Sequence, residues 1–500
     1  MSAHAEKRLS FGIPGLDDIL LGGLPADHVY LVEGDPGSGK TTLAMQFLLE
    51  GERRGENGLY VTLSETRDEV EKIARSHGWS LEKLAVLDLA ATLGTVSEND
   101  QYTVFRPSEV ELGETTDKIV KEVERIKPGR VVIDSLSEIR LLAREPLRYR
   151  RQILGLKHFF SGRSCTVLLL DDRTAGPDDL QPRSIAHGLI ELDRVPMEYG
   201  AERRRLRVAK LRGSSYRGGH HDLAIERGGV RVYPRLSAAH AGSSFGEGVA
   251  STGLPEMDTL LGGGVDRGTS TLITGPAGTG KSTLACGVAF AALERGEHAA
   301  VFAFEENRRI ATRRAASLGM DLEKHLSSGL ATFRHVDPAE LSPNEFAAQV
   351  RHAVEVDGAR VVVIDSLNGY LNAMPEERFL MAQLHELLGY LNNRGVVTIM
   401  VLVQRGMMGT ALQPAVDVSY LADSIVLLRH FEAFGAVRKA ISVVKKRSGS
   451  HEETIRELRI ESGGVQVGEV LSNFRGVLTG VPTYVGDEKD LIREVRAKDA

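Results

Sequence analysis

Residues 34–41 read GDPGSGKT and residues 275–282 read GPAGTGKS, and these two stretches decide the fold. Both match the pattern G-x-x-x-x-G-K-[ST]. Each follows a short apolar run that ends in glycine, VYLVEG or TLITG, and each precedes a segment with apolar residues at helical spacing. A strand, a glycine-rich loop and a helix in this order are typical of a phosphate loop, because the backbone N–H groups and the positive end of the helix face one anion.

The two loops and the strand ends near them supply the candidate site residues. Lys40 and Lys281 are expected to reach the terminal phosphates, and the hydroxyls of Thr41 and Ser282 to bind Mg²⁺. Asp134 and Asp365 end apolar strands, where P-loop NTPases place a carboxylate on the Mg²⁺ side. The predicted nucleotide-binding loop residues are Gly34, Gly37, Ser38, Gly39, Lys40, Thr41, Thr42, Gly275, Gly278, Thr279, Gly280, Lys281, Ser282 and Thr283.

The chain is a tandem duplication of one large unit. Gly12, Gly34 and Glu65 return as Gly253, Gly275 and Glu306, each 241 positions later. Short apolar runs, several unbroken as in strands buried on both faces, alternate with helical patterns that end at Gly55 and Gly296. This predicts two tandem copies of an α/β fold with a mostly parallel sheet. We expect domains at 1–235 and 252–486, a linker rich in Ala, Gly and Ser at 236–251, and a charged tail at 487–500.

Composition narrows the class of protein. The 500 residues carry a net charge of −6, which disfavours a dedicated nucleic-acid coat. The cysteines, Cys165 and Cys286, form no disulfide framework and no zinc spacing, as in a reducing cytoplasm. The N-terminus lacks the apolar core of a signal peptide, and the longest apolar run is too short to span a membrane. We therefore expect a cytoplasmic protein.

Glutamates are the candidate general bases for activating water or a hydroxyl. Glu305 and Glu306 are expected on the strand beside the second phosphate loop, where one ionised carboxylate acts as base while its neighbour tunes it. The corresponding pair in the first unit is Ser64 and Glu65. Because Glu305 has no acidic equivalent there, the two sites are expected to differ in chemistry.

These residues resemble one family, the KaiC circadian-clock ATPases and autokinases among the RecA-like P-loop ATPases. The resemblance extends over nearly the whole chain and includes ARSHGW at 74–79, ERRRLRVAKLRGSSY at 202–216 and NFRGVLTGVPT at 473–483. It implies two RecA-like domains that bind ATP and Mg²⁺ and a homohexamer of two rings with ATP between subunits. The residues that it assigns to the nucleotide's base side or to a neighbour's ATP are Ser76, Lys210, Leu211, Arg212, Lys445 and Arg447.

The resemblance also implies that the second domain phosphorylates itself. Ser419 matches the family's acceptor serine, whereas Tyr420 and Ala422 stand where the family has threonines. Glu305 would take the proton of Ser419 while Lys281 and a neighbour's Arg447 hold the γ-phosphate. With Tyr420 in place, the family's ordered two-site cycle cannot run in the same way. Ser64, where the family has a glutamate, leaves open whether the first domain hydrolyses ATP.

Partners and alternative functions stay open at this stage. A KaiB-like protein or a histidine kinase is a possible partner, and the short tail at 487–500 shortens or removes the docking site for a KaiA-like one. Two other interpretations remain: an ATP-gated switch scaffold that recruits partners with little turnover, and a RecA- or DnaB-like DNA-dependent ATPase. The latter needs basic or aromatic pore loops, and residues 365–404 contain no basic cluster.

Overall fold

The computed structural model describes residues 7–90, 107–173, 181–197, 200–238, 248–372, 379–404, 418–461, 463–478 and 482–486. The chain divides into two compact units, Met1–Arg235 and Leu236–Ala500. No helix within these described ranges is both long and apolar enough to cross a bilayer.

Eleven strands and seven helices are described in the first unit. The strands are β1 (Arg8–Leu9), β2 (Leu24–Pro25), β3 (Val29–Gly34), β4 (Gly58–Thr62), β5 (Ala85–Asp88), β6 (Arg130–Asp134), β7 (Thr166–Asp172), β8 (Gly188–Val195), β9 (Arg203–Leu211), β10 (His221–Glu226) and β11 (Gly229–Tyr233). The helices are α1 (Pro14–Ile19), α2 (Lys40–Arg53), α3 (Arg67–Ser76), α4 (Pro107–Ile126), α5 (Leu136–Ala143), α6 (Pro146–Phe160) and α7 (Gln181–Ile185).

The described part of the second unit repeats most of this order, with an added helix at Leu322–Ser327, an added strand pair near the C-terminal end and no described counterpart of α7. The strands are β12 (Val249–Ala250), β13 (Val265–Asp266), β14 (Ser270–Gly275), β15 (Ala299–Ala303), β16 (Ala331–His335), β17 (Val361–Asp365), β18 (Val397–Val403), β19 (Ser424–Ala433), β20 (Ala436–Lys446), β21 (Arg456–Glu461), β22 (Gly464–Val470), β23 (Phe474–Arg475) and β24 (Thr483–Tyr484). The helices are α8 (Pro255–Leu260), α9 (Lys281–Glu294), α10 (Arg308–Ser317), α11 (Leu322–Ser327), α12 (Pro343–Glu355), α13 (Leu367–Asn372) and α14 (Leu380–Asn393).

Each unit is built on a nine-stranded mixed sheet, and the strand order is the same in both. The first sheet runs β5-β4-β6-β7-β3-β8-β9-β10-β11, and the second runs β16-β15-β17-β18-β14-β19-β20-β21-β22. In each sheet six strands are parallel and the last three are antiparallel. The prediction of two tandem α/β domains with mostly parallel sheets is confirmed.

The unbroken apolar runs become the central strands because both of their faces are covered by helices. Every residue of β3 and of β14 is buried. In α2, the pairs Leu43/Phe47 and Ala44/Leu48, predicted from helical spacing, are buried against the sheet. The full burial of a leucine or phenylalanine stabilises the fold by about 1.5–3 kcal/mol, so this face holds the helix in place behind its loop.

Glycines end the helices behind the two phosphate loops, as predicted. Gly55 and Gly296 adopt φ values of 78° and 77°, a left-handed conformation that glycine reaches without steric cost. The N–H groups of Gly55 and Glu56 donate to the carbonyls of Glu52 and Gly51, and Gly296 and Glu297 repeat both bonds. This pair of bonds is the Schellman arrangement that satisfies the last carbonyls of a helix.

The two ends of α9 provide a matched pair of stability tests. At Gly296 (φ 77°) an added Cβ meets no atom within 4 Å, whereas at Gly280 (φ 98°) it would lie 2.2 Å from Ile460 Cδ1. We expect Gly296→Ala to cost about 1 kcal/mol, from the left-handed backbone alone, and Gly280→Ala to cost clearly more. Chemical denaturation of both variants measures the difference. Equal losses would contradict the close packing of the loop against β21.

Candidate functional site

The first phosphate loop connects β3 to α2 and folds around the side chain of Lys40. Gly37 and Gly39 adopt φ values of 77° and 103°, and Gly39 lies at the N-terminus of α2. The Nζ of Lys40 donates to the carbonyls of Gly34 and Asp35 at 2.9 and 3.0 Å. The backbone therefore holds the lysine across the mouth of a loop that precedes a helix N-terminus, the arrangement that binds phosphate.

The second loop connects β14 to α9 with the same geometry. Gly278 and Gly280 adopt φ values of 78° and 98°, and the Nζ of Lys281 donates to the carbonyl of Pro276 at 2.6 Å. The first glycine of each loop passes close to the neighbouring strand. A Cβ on Gly34 would lie 2.5 Å from the carbonyl oxygen of Leu192, and one on Gly275 would lie 2.3 Å from that of Leu428, so only glycine fits at either position.

The remaining predicted loop residues lie where the pattern puts them. Ser38 and Thr279 are fully buried inside the loops, and Thr279 Oγ1 donates to the carbonyl of Pro276 at 2.9 Å. Thr42 and Thr283 follow in the first turns of α2 and α9 and are also buried. The structure brings all of these residues together, and their contacts with nucleotide stay a prediction.

A hydroxyl and a carboxylate meet on one side of each loop. Thr41 Oγ1 donates to Asp134 Oδ2 at 2.9 Å. Burial raises the pKa of both Asp134 and Asp365, and the nearby hydroxyls of Thr41 and Ser282 oppose the rise. Each pair therefore joins the first turn of a loop helix to the end of a strand two places away in the sheet.

This oxygen-donor pair fits a Mg²⁺ ion. Among the described residues no cluster of three or more His, Cys, Asp and Glu side chains is suited to a metal. Mg²⁺ commonly takes one or two protein carboxylates or hydroxyls, with substrate phosphates and water supplying its other ligands. Thr41 with Asp134, and Ser282 with Asp365, would hold such an ion beside the phosphates and neutralise part of their charge.

Two further side chains enter the first site and were missed by sequence reasoning. Tyr60 OH donates to Asp134 Oδ2 at 2.7 Å, and Asp172 Oδ1 lies 2.7 Å from the Nζ of Lys40. By sheet register their counterparts in the second unit are the apolar Val301 and Val403. Two features of the sequence could have indicated these side chains. One is the tyrosine within the apolar strand β4, and the other is the aspartate pair at the end of β7.

The positive charge of Lys281 is less well compensated by nearby carboxylates than that of Lys40. Burial lowers its pKa to about 8, although the negative charges of Asp365 and Glu305 oppose the shift. The counterpart of Asp172, which forms the ion pair with Lys40, is Val403 in this unit. The two phosphate loops thus have the same backbone geometry and different electrostatics.

The candidate bases follow β4 and β15, and one expectation about them is wrong. They were expected on the strand beside the phosphate loop, but β6 and β7 lie between β4 and β3, and β17 and β18 lie between β15 and β14. A crossover connection separates strands that are consecutive in sequence, so chain order did not predict adjacency. The residues still approach the site, because all these strands are parallel and end at the same edge of the sheet.

The carboxylates of the two units have different surroundings. Glu65 Oε2 is buried and has no hydrogen-bond partner among the described residues. Burial, then the charges of Asp134 and Glu69, raise the pKa of Glu65. In the second unit Glu305 accepts a hydrogen bond of 2.7 Å from Ser366, the residue after Asp365. Its neighbour Glu306 forms an ion pair of 2.6 Å with Arg314.

The cations predicted to reach a neighbour's nucleotide lie at the ends of β9 and β20. Lys210 Nζ and Arg212 Nη2 donate to the carbonyls of residues 183 and 184, at 2.7 and 2.9 Å. Lys445 Nζ and Arg447 Nη2 donate to the carbonyls of residues 419 and 420, at 2.8 and 2.7 Å. Leu211, between the first pair, is buried. Both pairs are therefore held against the segment before the last parallel strand, which is the short helix α7 in the first unit and a turn in the second.

Ser419 lies in the turn before β19, which begins at Ser424. Its counterpart is Arg183, because Lys445 bonds the carbonyl of one as Lys210 bonds the carbonyl of the other. Ser419 is half-buried and Tyr420 is exposed. Arg183 instead forms ion pairs with the buried carboxylates of Glu33 and Glu191, at 2.6 and 3.4 Å. Only the second unit has a hydroxyl at this position.

Two remaining predictions concern Ser76, which takes no part in these contacts, and the tail at 487–500. Ser76 lies at the C-terminal end of α3, exposed, and its Oγ donates to the carbonyl of Ile73 at 2.7 Å. Its approach to a nucleotide base stays a prediction. The tail at 487–500 lies outside the described residues.

Comparison with known proteins gives one consistent result. The family model described as "ATPase: KaiC" matches residues 9–237 and 250–472. The chain is 26% identical to the circadian clock protein KaiC3 of Synechocystis sp. over 97% of its length and 96% of that protein. It is 28% identical to the circadian clock oscillator protein KaiC of Thermostichus vulcanus, over 98% of its length and 94% of that protein.

The lowered pKa of Lys281 predicts how ATP binding depends on pH. A lysine that titrates near pH 8 when free, and stays protonated against phosphate, takes up a proton on binding above that pH. We expect the affinity of the second site to fall up to about tenfold per pH unit above about pH 8. A fluorescent ATP analogue titrated at several pH values measures this.

Lys281→Arg is the matched control, since arginine keeps its charge throughout this range. The variant should lose the pH dependence of the second site. If the wild-type protein and Lys281→Arg show the same dependence, another group titrates and the assignment to Lys281 is wrong.

Proposed function

Because the chain belongs to the KaiC family of ATPases, we propose that it is a double-ring homohexameric ATPase whose second domain is a serine/threonine autokinase. Both domains bind Mg·ATP, and signalling of a clock-like kind is the proposed role. The observation that carries the proposal is the duplicated site, in which a loop lysine, a loop hydroxyl and a strand-end aspartate recur in both units. The residues that differ between the two units then indicate a different reaction for each domain.

Glu65 is the proposed base of the first domain. Its carboxylate is the one member of the Ser64–Glu65 pair that can accept a proton, and its raised pKa makes it a better proton acceptor than an ordinary glutamate. It would orient a water for attack on the γ-phosphate while Lys40 leaves its ion pair with Asp172 to reach the phosphates. Competition from Asp172 favours slow turnover in this ring.

Glu305 is the proposed base of the second domain, with Ser419 as the acceptor. The carboxylate takes the proton of the serine hydroxyl, the serine oxygen forms a bond to the γ-phosphorus, and the bond to the bridging oxygen breaks as ADP leaves. Lys281 of the site, together with Lys445 and Arg447 of a neighbouring subunit, would stabilise the charge on the transferred group. Mg²⁺ beside Ser282 and Asp365 would supply further charge neutralisation.

The segment before the last parallel strand, α7 in the first unit and a turn in the second, supports a single acceptor domain. Arg183 replaces Ser419 in the first unit, and its guanidinium is engaged by Glu33 and Glu191. No hydroxyl is available at that position of the first ring. With Tyr420 and Ala422 beside Ser419, one phosphate per subunit is expected rather than an ordered two-site cycle. A KaiB-like protein or a histidine kinase would recognise this phosphorylated state.

Intact-mass measurement tests the proposal. Incubation with Mg·ATP should add about 80 Da, one phosphoryl group, to Ser419. Glu305→Gln should suppress the addition, because a neutral amide cannot accept the hydroxyl proton. Ser419→Ala is the control for the site and Tyr420→Phe for its neighbour.

Two results would contradict this assignment. Phosphate found only on other residues would remove Ser419 from the mechanism. An unchanged mass after prolonged incubation, with ATP bound to both sites, would favour the switch scaffold instead.

A further inference from the structure

The two adjacent glutamates of the second unit have different partners. Glu305 accepts one hydrogen bond, from the hydroxyl of Ser366. Glu306 uses both carboxylate oxygens on Arg314, accepting from Nε at 3.1 Å and from Nη2 at 2.6 Å. A two-point pair of this kind fixes both the charge and the orientation of a carboxylate.

Arg314 is itself held by a second contact. Its Nη2 also donates to the Sγ of Cys286 at 3.3 Å. Arg314 belongs to α10 and Cys286 to α9, the helix that begins at the phosphate-loop lysine. The side chains of Arg314 and Glu306 are only 22% and 20% exposed. The guanidinium therefore ties Glu306 to the helix behind the loop in a partly desolvated setting, where charge pairs are stronger than at a surface.

We call the contacts of Arg314 with Glu306 and Cys286 the clamp. The first unit has no corresponding contacts among its described residues. At the same offset of 241 positions, the counterparts of Arg314 and Cys286 are the apolar Ile73 and Met45, and the counterpart of Glu306 is Glu65. No guanidinium is therefore available at the position of Arg314, and Glu65 Oε2 has no hydrogen-bond partner in the described part of the chain. The carboxylate that is clamped in one unit is uncompensated in the other.

We infer that Arg314 is a positioning residue that withdraws Glu306 from proton transfer and leaves Glu305 as the base of the second domain. In the first domain the base is then Glu65, at the other position of the pair. The inference rests on the proposed turnover in both domains. One arginine in α10 then determines which of the two adjacent glutamates acts as the base.

The clamp can be tested without any turnover. Thermal unfolding of the full chain is compared for Glu306→Gln, Arg314→Ile and the double variant, with isoleucine taken from the first unit. If the two side chains form one unit, the double variant is no less stable than Arg314→Ile alone, because the second change removes a partner already lost. Losses that add would overturn the clamp.

The choice of base is tested by the rate of phosphoryl transfer to Ser419 in a Glu65→Gln background, which silences the first domain. With Arg314 present, Glu305→Gln should lower the rate by about a hundredfold and Glu306→Gln by less than about threefold. With Arg314→Ile, Glu306 is released and can replace Glu305, so Glu305→Gln should then cost less than about tenfold. Arg314→Lys keeps the positive charge but not the two-point pair, so the sensitivity to Glu305→Gln should return only in part. ATP binding confirms that each variant is folded.

The outcomes separate the inference from the proposed function. If Glu305→Gln and Glu306→Gln are equally damaging with Arg314 present, the inference is overturned and turnover in the second domain stands. If Glu306→Gln is the more damaging change, the inference is likewise overturned. If the Glu65→Gln chain binds ATP and transfers no phosphoryl group to Ser419 with Glu305, Glu306 and Arg314 all present, the proposed turnover fails, and the role of Arg314 in it is overturned as well.

Discussion

The contact between a loop hydroxyl and a strand-end carboxylate organises each half of this molecule. Thr41 with Asp134, and Ser282 with Asp365, join the helix after the phosphate loop to a strand two places away. A buried carboxylate without a partner costs several kcal/mol in desolvation. The contact therefore constrains where the helix begins, and with it the lysine one residue earlier. The remaining site residues are arranged around this fixed point.

The same backbone geometry places the site residues of the two units in different electrostatic environments. In the first unit the lysine and the aspartate each have an added polar partner, Asp172 and Tyr60. Valines replace both in the second unit, and the pKa of Lys281 falls to about 8. The contrast reverses at the glutamates, where the second unit has the guanidinium of Arg314 and the first has Ile73. Duplication preserved the backbone that binds phosphate and changed the side chains that determine its chemistry.

The fold and the loops could be predicted from the sequence because their signals are local. The pattern G-x-x-x-x-G-K-[ST], the unbroken apolar strands and the helix-ending Gly55 and Gly296 each depend on a few neighbouring residues. Sheet order is not local, so the glutamates were expected one strand from the loop and lie three strands away. Asp172 and Arg314 were missed for the same reason, since each acts on a residue that lies far from it in the chain or in another element.

The central claim is that both units turn over ATP with different bases. Steady-state phosphate release and phosphorylation of Ser419 at saturating Mg·ATP, each compared for the wild-type chain, Glu65→Gln, Glu305→Gln and the double variant, test it. Glu65→Gln should lower phosphate release and leave the phosphorylation of Ser419, whereas Glu305→Gln should suppress the phosphorylation and leave phosphate release. If either single variant abolishes both reactions, the two units do not turn over ATP independently, and the division of chemistry between them is wrong.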